Sequence, residues 1–168
     1  HMESDPQAVI DAARRVMERV DREEIALVML ENVDPDDVAA REARKEAEEQ
    51  KAALVEALRT IAQARLRQAE QTGAEADIES FEEAVDQLER WRTLSLDADA
   101  ELMIDREMLH GRTAAALELV RKRIDAEPFK QEHRSQLIRL IEELGWEHWS
   151  ALEARRLLRY YPPSRMIP

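Results

Sequence analysis

Apolar residues recur every three to four positions along most of the chain, which is the spacing of one face of an α-helix. The clearest example follows Asp5-Pro6, where Asp can cap a helix and Pro is tolerated in its first turn. The spacing of Asp21 and Glu24 indicates either a second short helix or a kinked continuation of the first. In both cases the helix ends at residues 32–35, because a residue before proline disfavours the helical conformation.

A second start signal, Asp34-Pro35, precedes a stretch without helix breakers as far as about Gln71. We expect one long helix there, spanning roughly 55 Å at about 1.5 Å per residue. Its first half, residues 41–53, carries alanines and charges on every side, whereas its second half has an apolar face. The first half is therefore expected either to project from the protein or to lie thinly against it through its alanines.

Four further helices complete the pattern. Residues 71–76 form a break, after which Asp77 is expected to cap a helix. A long helix follows over residues 101–127 and contains Gly111, which costs about 1 kcal/mol relative to Ala and predicts a close helix contact. Pro128 begins the next helix, Gly145 ends it, and a last helix runs over 147–161. The prediction is an all-α fold, an irregular α-solenoid or helical-repeat-like array of about six to seven antiparallel helices.

Composition supports this fold class and excludes several functions. The 168 residues include three Gly and no Cys, which excludes an all-β fold, a disulfide framework and a thiolate metal site. A net charge of −12 makes nucleic acid and anionic membranes poor partners, so we expect neither. No apolar run approaches the length of a transmembrane helix.

Charge and aromatic side chains are unevenly distributed. Residues 1–109 carry 14 basic and 29 acidic side chains, whereas residues 110–168 carry 11 basic and 8 acidic ones. Trp, Tyr and Arg are over-represented at interface hot spots, and they concentrate near the end of this chain. They either form an interface or pack the last two helices together, with the arginines as a solvated face. The candidate packing or interface residues are Trp146, Trp149, Arg155, Arg156, Arg159, Tyr160 and Tyr161.

No catalytic, cofactor-binding or metal-binding residue is predicted. His110-Gly111-Arg112 resembles the start of a protease histidine motif but is placed mid-helix by the pattern. Glu107 and His110 form half of a di-iron signature, which needs a second Glu-x-x-His pair that neither His133 nor His148 provides. The acidic groups Asp34-Asp36-Asp37 and Asp97-Asp99 lack the Gly and distal Glu of a calcium loop, and both precede predicted helices, where Asp complements the helix dipole.

Several short segments resemble one peptidase family in the same order along the chain. Leu144-Gly145-Trp146-Glu147-His148 and the later Tyr161-Pro162-Pro163 resemble the extreme C-terminus of tripeptidyl-peptidase II. Similar segments cover most of residues 9–70 and 108–168, whereas 73–100 shows no correspondence and is interpreted as a variable insertion or linker. The other matching segments are Met108-Leu109-His110-Gly111-Arg112, Ile10-Asp11-Ala12-Ala13, Val20-Asp21, Asp34-Pro35 and residues 49–58.

This resemblance implies a giant, mainly cytosolic serine peptidase of the subtilisin type, which removes tripeptides from the free N-termini of oligopeptides. In that family the catalytic residues lie in an N-terminal domain, and the helical C-terminal part helps to build very large assemblies. We therefore expect a non-catalytic, cytoplasmic domain without cofactors, whose partners are other subunits or domains of the same peptidase in a homo-oligomeric assembly.

The expected organisation is a cloning remnant at residues 1–2 and one helical domain over residues 3–168. Within that domain, acidic helices occupy 3–72, a connector with one helix occupies 73–100, and an aromatic-rich helical end occupies 101–168. One alternative is a helical-repeat adaptor with no peptidase parent, which binds a peptide or protein in a groove lined by Asn, Lys or Arg. The other is a di-metal helical-bundle enzyme.

Overall fold

The computed structural model describes residues 5–30, 37–96, 98–128 and 130–160. Within these residues it contains eight helices and no strand, so the predicted all-α fold is confirmed. The chain divides into unit 1, residues 1–94, and unit 2, residues 95–168. The helices are α1 Pro6–Met17, α2 Arg22–Leu30, α3 Val38–Thr72, α4 Glu75–Trp91, α5 Ala100–Leu109, α6 Thr113–Ala126, α7 Gln131–Glu143 and α8 Glu147–Tyr160.

In unit 1, two aspartates begin the first two helices as the sequence predicts. Asp5 Oδ1 accepts a 3.0 Å hydrogen bond from the Gln7 backbone N–H at the start of α1. Asp21 Oδ1 accepts from the backbone N–H groups of Glu23 and Glu24, each at 3.0 Å. Of the two alternatives for this stretch, the structure therefore has two separate helices.

The long helix α3 is the element against which α1, α2 and α4 all pack. Asp37 caps it by accepting from the Ala40 N–H at 3.1 Å, and Gly73 ends it with a φ of 62°. Ala47, in its first half, is buried, and it lines a small cleft together with Ile25 of α2. The first half of α3 thus lies against α2 through Ala47 and does not project from the protein.

Helix α4 begins three residues earlier than expected, so Asp77 does not cap it. Gly73 turns the chain, and Glu75 already belongs to the helix. Asp77 Oδ2 instead accepts a 2.7 Å hydrogen bond from the Thr72 hydroxyl, which ties the end of α3 to the start of α4. Further along the same side of α4, which is apolar, Phe81, Val85 and Leu88 are fully buried.

In unit 2, α6 packs against α5 and α7, and α7 packs against α8. The long helix predicted over 101–127 is two helices, because Gly111 has a φ of 68° and ends α5. The N–H groups of Gly111 and Arg112 donate to the carbonyls of Met108 and Glu107, at 2.9 and 2.8 Å. This is the Schellman arrangement of a helix C-terminus.

The close helix contact predicted at Gly111 is also absent, since no atom other than those of Gly111 and its two chain neighbours lies within 4 Å of the position that a Cβ would occupy. The core of unit 2 includes residues from both sides of this turn, because Ile104, Ala116, Val120 and Leu140 are buried together. Gly145 ends α7 as predicted, with the same Schellman arrangement as Gly111: its N–H donates to Glu142 O at 2.9 Å.

Candidate interface on the last helix

Two consecutive turns set the position of Trp146 and Trp149. After Gly145, the Trp146 N–H donates to the Ile141 carbonyl at 3.1 Å, which closes the end of α7. The Trp146 carbonyl then accepts from the N–H groups of Trp149 and Ser150, at 2.9 and 3.0 Å, and so begins α8. The two indole rings therefore belong to a backbone segment that is held at both ends.

The inner side of α8 is defined by polar contacts and burial. Ser150 is buried, and its hydroxyl donates to Glu142 Oε1 of α7 at 2.7 Å. The Glu153 side chain is only 14% exposed and forms an ion pair with Arg156. The hydrogen bond from Ser150 to α7 orients the helix, so the positions on its other side face solvent.

The outer side carries the two tryptophans and three arginines. Trp146 is 49% exposed and Trp149 is 60% exposed, so neither is a core residue. The His148 ring contacts the Trp149 ring edge-on, with ring centroids 6.2 Å apart and an interplanar angle of 73°. All three arginines are exposed. The aromatic–arginine face is defined as Trp146, His148, Trp149, Arg155, Arg156 and Arg159.

Five of the seven predicted interface residues therefore lie on one exposed face. Tyr160 is the last residue of α8, and Tyr161 lies outside the described residues. His148 was not among the predicted interface residues. Its position next to Trp149 in the sequence is the one signal that could have indicated it. The interface role of the whole set stays a prediction.

The half-signature of a di-iron site has a structural explanation. The Glu107 carboxylate accepts from Arg112 Nε at 2.5 Å and from Arg112 Nη2 at 3.0 Å, across the turn at Gly111. This hydrogen bonding holds the pKa of Glu107 below its ordinary value. His110 is exposed at the end of α5, in the turn and not mid-helix.

The structure describes two of the aspartates that resemble calcium ligands, and both occupy N-cap positions, but only Asp37 caps its helix through the side chain. Asp37 caps α3, and the buried Asp99 accepts from the Ser95 N–H at 3.0 Å just before α5. Asp34, Asp36 and Asp97 lie outside the described residues. Among the residues described, no group of three or more His, Asp or Glu side chains is arranged to hold a metal ion.

A buried polar cluster between α6 and α7 was not predicted from the sequence. His133 Nδ1 lies 3.0 Å from the Arg123 carbonyl, and Gln136 Oε1 accepts from Arg123 Nη1 at 2.7 Å. Burial lowers the pKa of His133, and the charges of Arg123 and Lys130 lower it further. Glu127 Oε2, 3.5 Å from Nε2, opposes this shift without reversing it. The cluster fixes α7 to the end of α6.

An open depression in unit 2 is lined only by polar side chains. Its charged residues are Glu101, Glu132 and Arg139, so carboxylates outnumber the single guanidinium. This lining differs from the Asn-, Lys- or Arg-rich groove that the adaptor alternative requires. None of the helices described is long and apolar enough to cross a membrane.

The structure thus defines an all-α protein with an exposed aromatic–arginine face on its last helix. Over 168 aligned residues the chain is 33% identical to Tripeptidyl-peptidase 2 of Oryza sativa subsp. japonica, with 96% of this chain and 12% of that protein covered. It is 26% identical to Tripeptidyl-peptidase 2 of Arabidopsis thaliana, with 94% and 12% covered. The resemblance to the C-terminal part of tripeptidyl-peptidase II is therefore confirmed.

The chain spans only 12% of the length of these curated relatives. Each match leaves at most 6% of this chain uncovered, and the interpretation of residues 73–100 as a variable connector stays a prediction. No protein-family model matches the chain, and no solved structure matches it.

Proposed function

We propose that the chain is a non-catalytic C-terminal part of a subtilisin-type serine peptidase similar to tripeptidyl-peptidase II, and that it supports assembly of the enzyme into a large cytoplasmic homo-oligomer. The parent enzyme would remove tripeptides from the N-termini of oligopeptides, with its catalytic residues in the remainder of the polypeptide. The match over 94–96% of the chain supports the parentage.

The exposed tryptophans carry the assembly proposal. Trp is the side chain with the largest apolar area, and it is enriched at interface hot spots. Trp146 and Trp149 expose about half of their surface, although each is held in an ordered turn. Burying the exposed parts of both would remove roughly 250 Å² from water, worth up to about 6 kcal/mol before the cost of association. A contact between subunits that buries both tryptophans would be stabilised by this free energy.

The test is made in a full-length peptidase that contains these 168 residues. Trp146 and Trp149 are both replaced by Ala, and particle size is measured by light scattering and electron microscopy. Cleavage of a fluorogenic tripeptide substrate is measured on the same samples. We expect smaller particles that still release tripeptides, because the substitutions remove a contact and leave the catalytic domain unchanged.

The matched control replaces Leu27 and Val38 by Ala. These two side chains are 66% and 57% exposed, but they lie in unit 1. The control is expected to form particles of normal size. Normal particles in the tryptophan variant would contradict the assembly proposal.

A further inference from the structure

Helix α4 presents a row of carboxylates on the side opposite its buried residues. Phe81, Val85 and Leu88 form the buried side. Positions spaced by four, four and three residues fall on one helix face, and this spacing covers about 17 Å along the helix. The α4 acidic stripe is defined as Glu75, Glu79, Glu83 and Asp86, all of which are exposed.

The aromatic–arginine face of α8 has a comparable length and the opposite charge. From Trp149 to Arg159 it extends over ten residues, or about 15 Å. Arg155, Arg156 and Arg159 are exposed along it, with Arg156 also ion-paired to Glu153, and Trp149 lies at its beginning. One chain therefore carries both a basic face with aromatic anchors and an acidic face of matching length.

We propose that the aromatic–arginine face of one copy of this chain docks on the α4 acidic stripe of a second copy. The inference rests on the proposed function, since it names the two surfaces of an assembly contact. Opposite charges select the partner surface and its register, while the tryptophans supply the apolar area. The two surfaces differ, so the contact is heterologous and can repeat from copy to copy.

The acidic residues in the first half of α3 are a poorer partner surface. Glu48 lies 3.5 Å from Arg44, and Glu49 lies 3.8 Å from Lys45, so basic side chains four residues away partly neutralise them. In α4 the only basic residue is Arg90, at its end. The charge pattern therefore favours α4 as the surface on which α8 docks.

Charge reversal of each face tests the contact in the 168-residue chain. One variant replaces Arg155, Arg156 and Arg159 by Glu, and the other replaces Glu79, Glu83 and Asp86 by Lys. Sedimentation velocity is recorded at several protein concentrations, and circular dichroism confirms helix content. The wild-type sedimentation coefficient is expected to rise with concentration, and that of each variant alone to stay at the monomer value.

Mixing the two variants in equal amounts restores opposite charges across the contact, so the concentration dependence should return. The mixture separates loss of the contact from loss of folding, because two misfolded chains would not complement each other. In the matched control, Glu42, Glu46 and Glu49 of α3 are replaced by Lys. These three positions have the same spacing as the three substituted positions of α4. This control is expected to associate like the wild type.

Salt separates the proposed contact from the overall repulsion between copies of net charge −12. Raising NaCl from about 0.05 M to about 0.5 M should weaken association if local opposite charges hold the copies together, and strengthen it if the net repulsion dominates. Strengthening by salt would overturn the proposal.

A wild-type chain that stays monomeric at every concentration would also overturn it, as would a mixture that stays monomeric or a control that loses association. In any of these cases, particles of the full-length enzyme that still depend on Trp146 and Trp149 would leave the proposed function standing and refute only this choice of partner surface.

Discussion

Ser150, in the first turn of α8, donates a 2.7 Å hydrogen bond to the Glu142 carboxylate of α7. The residue before it is Trp149, and successive residues of a helix point about 100° apart. Fixing Ser150 against α7 therefore also fixes Trp149 outward. A small polar contact inside the helix pair determines which side chains the outer face displays.

Replacing Ser150 by Ala is expected to lower the free energy of unfolding by about 1 kcal/mol, because a partly buried hydrogen bond is lost while Glu142 can return to water. Urea unfolding followed by circular dichroism measures the change. Replacing the exposed Ser135 by Ala serves as the control and should change stability by less than about 0.5 kcal/mol. Equal effects at both serines would show that the Ser150 hydroxyl does not hold α8.

The starts of α1 and α2 could be predicted from local sequence because their causes are local, whereas the starts predicted for α4 at Asp77 and for α7 at Pro128 were wrong. Asp5 and Asp21 bond to backbone N–H groups two or three residues away, and that spacing is visible in the sequence. The all-α class likewise follows from spacing and composition. Such features depend on neighbours within one turn, so a single sequence contains them.

The turn at Gly111 could not be predicted with the same reasoning. Glycine is tolerated inside a helix and also ends helices, and apolar spacing does not reveal the contacts of Arg112 with Glu107 that accompany the turn. The exposure of Trp149 and the burial of His133 depend on where α7 packs, which apolar spacing does not give. The candidate face could therefore be named from its residue types, but its exposure required the structure.

Replacing Gly111 or Gly145 by Ala would raise the free energy of unfolding if the glycine lay inside a helix, but would lower it at the turn that the structure shows. Inside a helix, replacing Gly by Ala stabilises by about 0.5–1 kcal/mol. At φ values of 68° and 69°, Ala is strained, so both substitutions are expected to lower the free energy of unfolding by about 1 kcal/mol. Urea unfolding measures both variants.

The control for helix propensity is Ala53→Gly on the exposed side of α3, which should also cost about 1 kcal/mol. Stabilisation by Gly111→Ala would contradict the turn and would favour one continuous helix over residues 101–127.

Phe81 tests whether α4 is part of the core of unit 1. Its side chain is fully buried, so Phe81→Ala is expected to lower the free energy of unfolding by about 3–5 kcal/mol through lost burial and the cavity that remains. The control Leu27→Ala removes an exposed side chain and should change little. Thermal unfolding compares the two. If the Phe81 variant were as stable as the Leu27 variant, α4 would not be part of the core of unit 1, and residues 73–100 would be only a loose connector.

His133 makes the stability of unit 2 depend on pH. Its Nδ1 faces the Arg123 carbonyl, which can only accept, so the neutral ring carries its proton on Nδ1. Because the folded protein lowers the pKa of His133 from its ordinary value of 6.5, the unfolded chain binds the proton more readily. The free energy of unfolding is therefore highest above pH 6.5, where the ring is neutral in both the folded and the unfolded state. It decreases as the pH falls from 6.5 through the lower pKa of the folded state.

His133→Asn isolates this effect from the carboxylates that also titrate in acid. Asn can place an amide N–H near the position of Nδ1 and donate to the Arg123 carbonyl, but it does not titrate. Urea unfolding at several pH values between about 7.5 and about 5 should show the wild type losing stability relative to the variant as the pH falls. His133→Gln, whose amide corresponds to Nε2, should be less stable than His133→Asn at every pH. A constant difference between wild type and His133→Asn across this range would show that the ring keeps its ordinary pKa, and that burial between α6 and α7 does not select its neutral form.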